Sequence, residues 1–287
     1  MAAYITHKLA AKAVFSALGE DLKEKITAPL RYYAGAQGGD CFFIYRPLRK
    51  KGFNLGKLLH RRNVYAFFSA AREYAENTGD YSYILGYITH YAVDTVFHPY
   101  VYATEYETLA SLEKPRKKDK VHFLIERDAD AFLLRRYGGK DDTGPQAPPS
   151  EEDGDAIFAL LDYAVKKSCG FGLEKKAVKS ALARFPRQQS YLFDTEGTRR
   201  KRIYGIEKKL RLRHFFSYMF LRENPDARFE TLKNGGEEKS VYRLFEEAVE
   251  KSVMLIGLFV RTPAGEALDE TLFSSDFNSG KRERKKR

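Results

Sequence analysis

In the segment YITHYAVDTVFHPY, residues 87–100, His90, Asp94 and His98 recur at steps of four. On an α-helix four residues turn the side chain by about 400°, so the three groups project along one slowly drifting stripe. A second segment, VHFLIERD, repeats the step with His122 and Glu126. Two helices that face each other in a bundle can close such nitrogen and oxygen ligands around a metal ion. A lone histidine on an apolar helix is more often a hydrogen-bonded core residue, and a His–Glu pair at this step is commonly a surface contact. Burial shifts the balance. Asp94 lies in the most apolar helix of the chain, where an unpaired carboxylate costs several kcal/mol. The span from Tyr81 to Val101 contains no lysine or arginine to neutralise it. A cation held jointly by Asp94 and its histidine neighbours is the cheaper solution.

Three further residues precede that stripe. His7 stands at the start of the first helical pattern, Asp40 closes the glycine loop GGDCFF, and His60 lies in KLLHRRN. Singly, each reads as structural: a first-turn residue, a turn or cap residue and a surface residue. Together with His90, Asp94, His98, His122 and Glu126 they form an ordered set of nitrogen and carboxylate ligands without thiolate. That donor set fits zinc best, with other divalent transition metals as alternatives.

The succession of an N-terminal helix histidine, a G-x-x-G-x-D-like loop, a histidine, H-x-x-x-D with a following histidine, and H-x-x-x-E resembles the bacterial zinc-dependent phospholipase C family. The motifs cover residues 4–137, and beyond them the resemblance is one of helical character. It implies an all-α multi-helix bundle with a metal cleft holding up to three zinc ions, similar in fold and cluster to the fungal-type zinc nucleases. Carried over residue by residue, it implies that Asp40, His60, His90 and Asp94 bind one zinc. Asp94 then bridges to a second, shared with His7 and the terminal residue of the mature chain, and His98, His122 and Glu126 bind the third. Such a cluster polarises phosphoryl oxygens, acidifies a bound water into the nucleophile and stabilises the departing alkoxide. Asp40 is the catalytic residue expected to orient or deprotonate that water.

The sequence departs from the family pattern in three places. His98 follows Asp94 more closely than in the well-known members, and Pro99 predicts a helix end there. Fewer residues precede His7. The positions that hold aromatic residues in phosphatidylcholine-cleaving members hold Cys41 and Lys57, and a lysine repels choline's cation, so choline selectivity does not carry over.

Helices must hold these groups. The spacing predicts helices over His7–Leu18 with Thr6 as N-cap, Leu22–Tyr33, Leu55–Glu76, Tyr81–Phe97 as the buried central helix, and Lys120–Tyr137. Residues 1–138 form the metal-binding helical core. The stretch GGKDDTGPQAPPSEEDGD makes 139–155 a flexible loop. Helices over Ala156–Ser168, Glu174–Phe185, Arg202–Leu221 and Ser240–Val260 fill 156–275, packed on the same domain, and the charge run leaves 276–287 as a disordered basic tail. No alternating strand or internal repeat is evident.

The 287 residues carry 50 Lys and Arg against 39 Asp and Glu, a formal net charge of +11, which suits phosphate-bearing partners. No apolar run approaches the roughly 20 residues needed to span a bilayer, and no signal-peptide pattern opens the chain, so cytoplasmic residence is the default expectation. Cys41 and Cys169 are too few for a disulfide framework and read as two thiols. His214 reads as structural. The leading expectation is hydrolysis of a phospholipid or other phosphodiester at a zinc cluster. A nuclease-like action on single-stranded nucleic acid is the alternative. A non-catalytic reading has the chain contact anionic membrane through Lys51, Arg61, Arg62, the PRKK run and the basic tail.

Overall fold

A computed structural model describes residues 4–43, 54–111, 121–142, 144, 146–194, 197–211, 216–221 and 227–281. The chain opens with α1 (Tyr4–Ala17), a single turn α2 (Glu20–Lys23) and α3 (Pro29–Ala36), which leads into a 3-10 turn at Gly38–Phe42. Next come α4 (Leu55–Arg61), α5 (Val64–Thr78), α6 (Ser82–Ala110) and α7 (Val121–Tyr137). After a 3-10 turn at Lys140–Asp142 follow α8 (Glu151–Cys169), α9 (Lys175–Leu192) and α10 (Thr198–Lys209). An antiparallel hairpin, β1 (Thr231–Asn234) and β2 (Glu237–Ser240), precedes α11 (Val241–Arg261) and α12 (Glu270–Phe273). The fold is all-α, and among the described residues the hairpin is its only sheet.

α6 is the axis of the molecule. Its residues are buried on every side from Ser82 to Val93, as expected of a helix apolar all round, and α1, α3, α7 and α11 pack about it. α3 approaches closely because both helices present glycine at the crossing. A Cβ at Gly86 would collide with the Tyr32 carbonyl oxygen, and one at Gly35 with that of Tyr83. α11 shows the opposite pattern: Val241, Leu244, Phe245, Ala248, Leu255, Ile256 and Phe259 are buried at helical spacing, leaving an outer face that is charged at Arg243, Glu246 and Glu250 and carries Met254 and Leu258 further along. Each such large side chain contributes about 1.5–3 kcal/mol through burial.

Several sequence expectations give way to tertiary context. The span Leu22–Tyr33 is not one helix, because Pro29 starts a new one at its first turn. Leu55–Glu76 breaks at Asn63, whose φ of 54° places it in the left-handed region and whose side-chain amide donates to the Ser168 carbonyl (2.7 Å). α6 does not stop at His98 but runs through Pro99 to Ala110, so packing on both sides overrides the local penalty. Thr6 is not a cap: it lies inside α1, with its N–H and hydroxyl both donating to Asp130 Oδ1 (2.8 and 2.7 Å).

Further along, α8 starts five residues earlier than expected. A capping box joins Ser150 and Asp153 within what reads as an acidic loop. The helix expected over Arg202–Leu221 is α10, which ends at Lys209. The missed hairpin turns on Gly235 and Gly236, both at positive φ as a two-residue turn requires. Residues 276–281 do not behave as a tail, since Phe277 is fully buried. Lys51, the PRKK run, His214 and residues 282–287 lie outside the described residues. No helix among those described is long and apolar enough to cross a membrane.

Candidate metal centre

Five elements bring the eight sequence-predicted residues into one buried region. α1 contributes His7, the turn at Gly38–Phe42 contributes Asp40, and the last turn of α4 contributes His60. α6 carries His90, Asp94 and His98, and α7 carries His122 and Glu126. Only His122 is more than marginally exposed. The glycines before Asp40 make this convergence sterically feasible. A Cβ at Gly38 would lie inside the His90 ring, and one at Gly39 would approach His60 Cε1 to 2.7 Å. The loop backbone therefore forms a cradle against which both imidazoles rest.

His60 Nε2 is 3.3 Å from Asp40 Oδ1, 3.2 Å from His90 Nε2 and 3.4 Å from Asp94 Oδ2. His90 Nε2 is also 3.4 Å from Asp94 Oδ2. The other carboxylate oxygen, Asp94 Oδ1, lies 3.3 Å from His7 Nε2. In a third group, Glu126 Oε1 lies 3.3 Å from His98 Nε2 and 3.1 Å from His122 Nε2. The ligand atoms thus fall into three clusters, each able to hold a metal ion: Asp40, His60 and His90; His7, His90 and Asp94; and His98, His122 and Glu126.

Zinc fits these clusters. Zn–N and Zn–O distances near 2.0–2.1 Å with tetrahedral coordination place neighbouring ligand atoms about 3.3 Å apart, and the separations given above run from 3.1 to 3.4 Å. Two of the five imidazoles have a tautomer fixed by the backbone. His60 Nδ1–H donates to the Gly56 carbonyl (2.6 Å) and His98 Nδ1–H to the Phe277 carbonyl (2.9 Å). A carbonyl can only accept, so Nδ1 bears the proton and Nε2 turns its lone pair inward, the arrangement typical of a metal-binding histidine. Asp94 Oδ2 and Glu126 Oε2 are buried yet accept no hydrogen bond among the described residues. Two facing imidazole nitrogens and orphaned carboxylate oxygens call for a cation between them. No lysine or arginine among the described residues pairs with Asp94.

Protonation in the metal-free chain follows from the same geometry. Burial disfavours the charged form of His60, but its contacts with Asp40 and Asp94 outweigh that and raise it to about 9. His122 is likewise penalised by burial and raised to about 9 by Glu126 and Glu105. His90 is lowered to about 3, chiefly by burial. Burial pushes Asp94 and Glu126 up, yet the surrounding histidines hold both well below the ordinary carboxylate range. At neutral pH the metal-free site therefore keeps protons on His60 and His122, where zinc needs lone pairs. Zinc binding should release about two protons per chain near pH 7 and strengthen as pH rises toward 9. Titration calorimetry in two buffers of different ionisation enthalpy measures that release directly.

Four supporting residues escaped the sequence reading. The Phe277 N–H donates to the His60 carbonyl (3.1 Å), which is free because the helix breaks at Asn63, and its ring packs 5.1 Å from that of His60. Gly56 fixes the His60 tautomer. Glu105 Oε2 lies 3.5 Å from His122 Nδ1, and the Tyr102 ring covers His122 at 4.7 Å. Tyr102 and Glu105 continue the stripe of His90, Asp94 and His98 along α6, a signal hidden by ending the helix at Pro99. The residue expected to complete the His7 position from the chain terminus lies outside the described residues.

A family model described as zinc-dependent phospholipase C matches residues 6–179, more than half of the chain and every one of the eight residues above. No curated protein and no solved structure matches the chain.

Proposed function

The chain belongs to the zinc-dependent phospholipase C family, and we propose that it hydrolyses the head-group phosphodiester of a phospholipid. Asp40, His60, His90 and Asp94 would hold one zinc, Asp94 and His7 a second, and His98, His122 and Glu126 a third. The observation that carries this reading is the division of Asp94, with one oxygen toward His60 and His90 and the other toward His7. A carboxylate so placed would be able to serve two ions at once.

Bound zinc supplies positive charge that polarises a phosphoryl oxygen and lowers the pKa of water toward neutrality. The chain's own groups do the positioning. Burial raises the Asp40 carboxyl, but its bond to His60 and the nearby imidazoles outweigh that and keep it ionised. An ionised carboxylate in that place orients the attacking water by accepting its hydrogen bond and then takes its proton. Histidines with Nδ1 tied to backbone carbonyls cannot rotate away from the reacting centre. Lys57, exposed three residues before His60, disfavours a trimethylammonium head group. Head groups without a fixed cation are the expected substrates.

The zinc-loaded chain should release diacylglycerol from dispersed phosphatidylglycerol faster than from phosphatidylcholine, and leave single-stranded DNA intact. Cleavage of DNA without diacylglycerol release would move the substrate to nucleic acid. Turnover of neither would overturn the reading.

A further inference from the structure

Beyond residue 179, where the family match ends, parts of α9 and α10 and the 3-10 turn at Ser217–Met219 line an open pocket of about 560 Å³, within the range of small-molecule sites. Its wall is apolar, formed by Leu192, Ile203, Phe216, Met219 and Phe220, with Arg184 and Arg187 at the rim. Around it large apolar side chains stand in solvent: Ile206 is 53% exposed, Leu210 63% and Phe216 50%. Exposed apolar groups clustered in this way mark an interaction surface.

The charge of this face identifies its partner. From Arg184 to Arg211 the sequence holds nine lysines and arginines against three acids. Two of the acids are turned inward. Asp194 is 5% exposed and accepts the Arg200 N–H (2.7 Å), while Glu207 is 2% exposed and bonded to the backbone and hydroxyl of Ser217 (3.2 and 2.6 Å). The third, Glu196, lies outside the described residues. Arg199, Lys201, Arg202, Lys208, Lys209 and Arg211 are all exposed. A cationic rim around exposed aliphatic and aromatic side chains and an apolar cavity matches an anionic lipid surface: phosphates meet the cations, and a hydrocarbon chain fills the hole. A nucleic acid strand would leave the apolar wall uncovered.

We propose that this face docks on anionic bilayers, with Ile206, Leu210 and Phe216 entering the interface and the cavity receiving a lipid acyl chain. The docking does not depend on zinc, but it sits beside the metal centre. The Tyr4 ring, one turn before His7, packs on Phe185 and Phe193 (5.8 and 6.1 Å), and Gln189 Oε1 accepts from Arg127, the neighbour of Glu126 (3.2 Å).

The full chain, zinc-loaded and zinc-free, is sedimented with vesicles of phosphatidylglycerol and phosphatidylcholine or of phosphatidylcholine alone. Both forms should bind the anionic vesicles about tenfold better or more. The double variant Arg184→Glu, Arg187→Glu should lose about tenfold of that binding, while keeping its zinc content and its turnover of a soluble short-chain substrate. The chain has no tryptophan, so a Phe216→Trp variant carries a single indole, whose emission should be quenched by lipids brominated on their acyl chains. Leu210→Trp, at a more exposed position, provides the same readout should the first substitution disturb the fold. Equal binding to both vesicle types, unchanged binding by the double variant, or unquenched emission from both tryptophan variants would each overturn the proposal. Loss of short-chain turnover in every form, with vesicle binding intact, would count against the hydrolase and leave the docking face standing.

Discussion

Asp94→Asn should leave the chain folded but strip it of zinc at the two positions that Asp94 would serve in the proposed cluster and lower turnover by about a thousandfold, equivalent to ~4 kcal/mol of transition-state stabilisation. The substitution is isosteric, so packing around α6 is kept. It removes the negative charge faced by His7, His60, His90 and His98 at 3.3–3.8 Å. Without that charge His60 loses one of the two carboxylates that raise it. Zinc bound by His98, His122 and Glu126 should survive, because Asp94 does not belong to that group. Metal analysis of the variant should therefore show partial loss, with activity almost abolished. Full activity would remove Asp94 from the mechanism.

The second large effect concerns stability. Asp130 and Arg127 are buried together, at 0% and 1% exposure, with Arg127 Nη1 donating to Asp130 Oδ2 (3.0 Å). Asp130 Oδ1 also takes both hydrogen bonds from Thr6. One carboxylate thus ties the start of α1, which carries His7, to α7, which carries Glu126. Asp130→Ala leaves a buried guanidinium without its partner and the Thr6 N–H unsatisfied, and should cost about 3–5 kcal/mol. The melting temperature should fall by roughly 10 °C in calorimetry. Gln189→Ala removes a single bond to the same arginine and should cost only about 1.5–3 kcal/mol. Equal losses in the two variants would show that Asp130 does not hold the helices together.

What could be read from the sequence was local in character. His90, Asp94 and His98 reveal themselves because four-residue steps share a helix face, and the burial of α6 follows from its all-round apolar composition. Asp40 and His60 needed the order of motifs across the chain, since nothing within either segment says that two imidazoles will close over Gly38 and Gly39. Phe277 lies 179 residues from the histidine it orients, inside a stretch whose lysines and arginines read as solvated tail. No local signal could have placed it. Tyr102 and Glu105 were hidden by Pro99: the proline penalty is real, but α1, α3, α7 and α11 packed around α6 outweigh it. Ser150 and Asp153 could have been read as a capping box, and the acidic, glycine-rich surroundings concealed them.

The most direct test of the zinc centre is the metal content of the purified chain, loaded with excess zinc, freed of unbound metal and measured by mass spectrometry. Three clusters of ligand atoms predict two or three zinc ions per chain. Less than one zinc per chain, with the fold intact, would contradict the account.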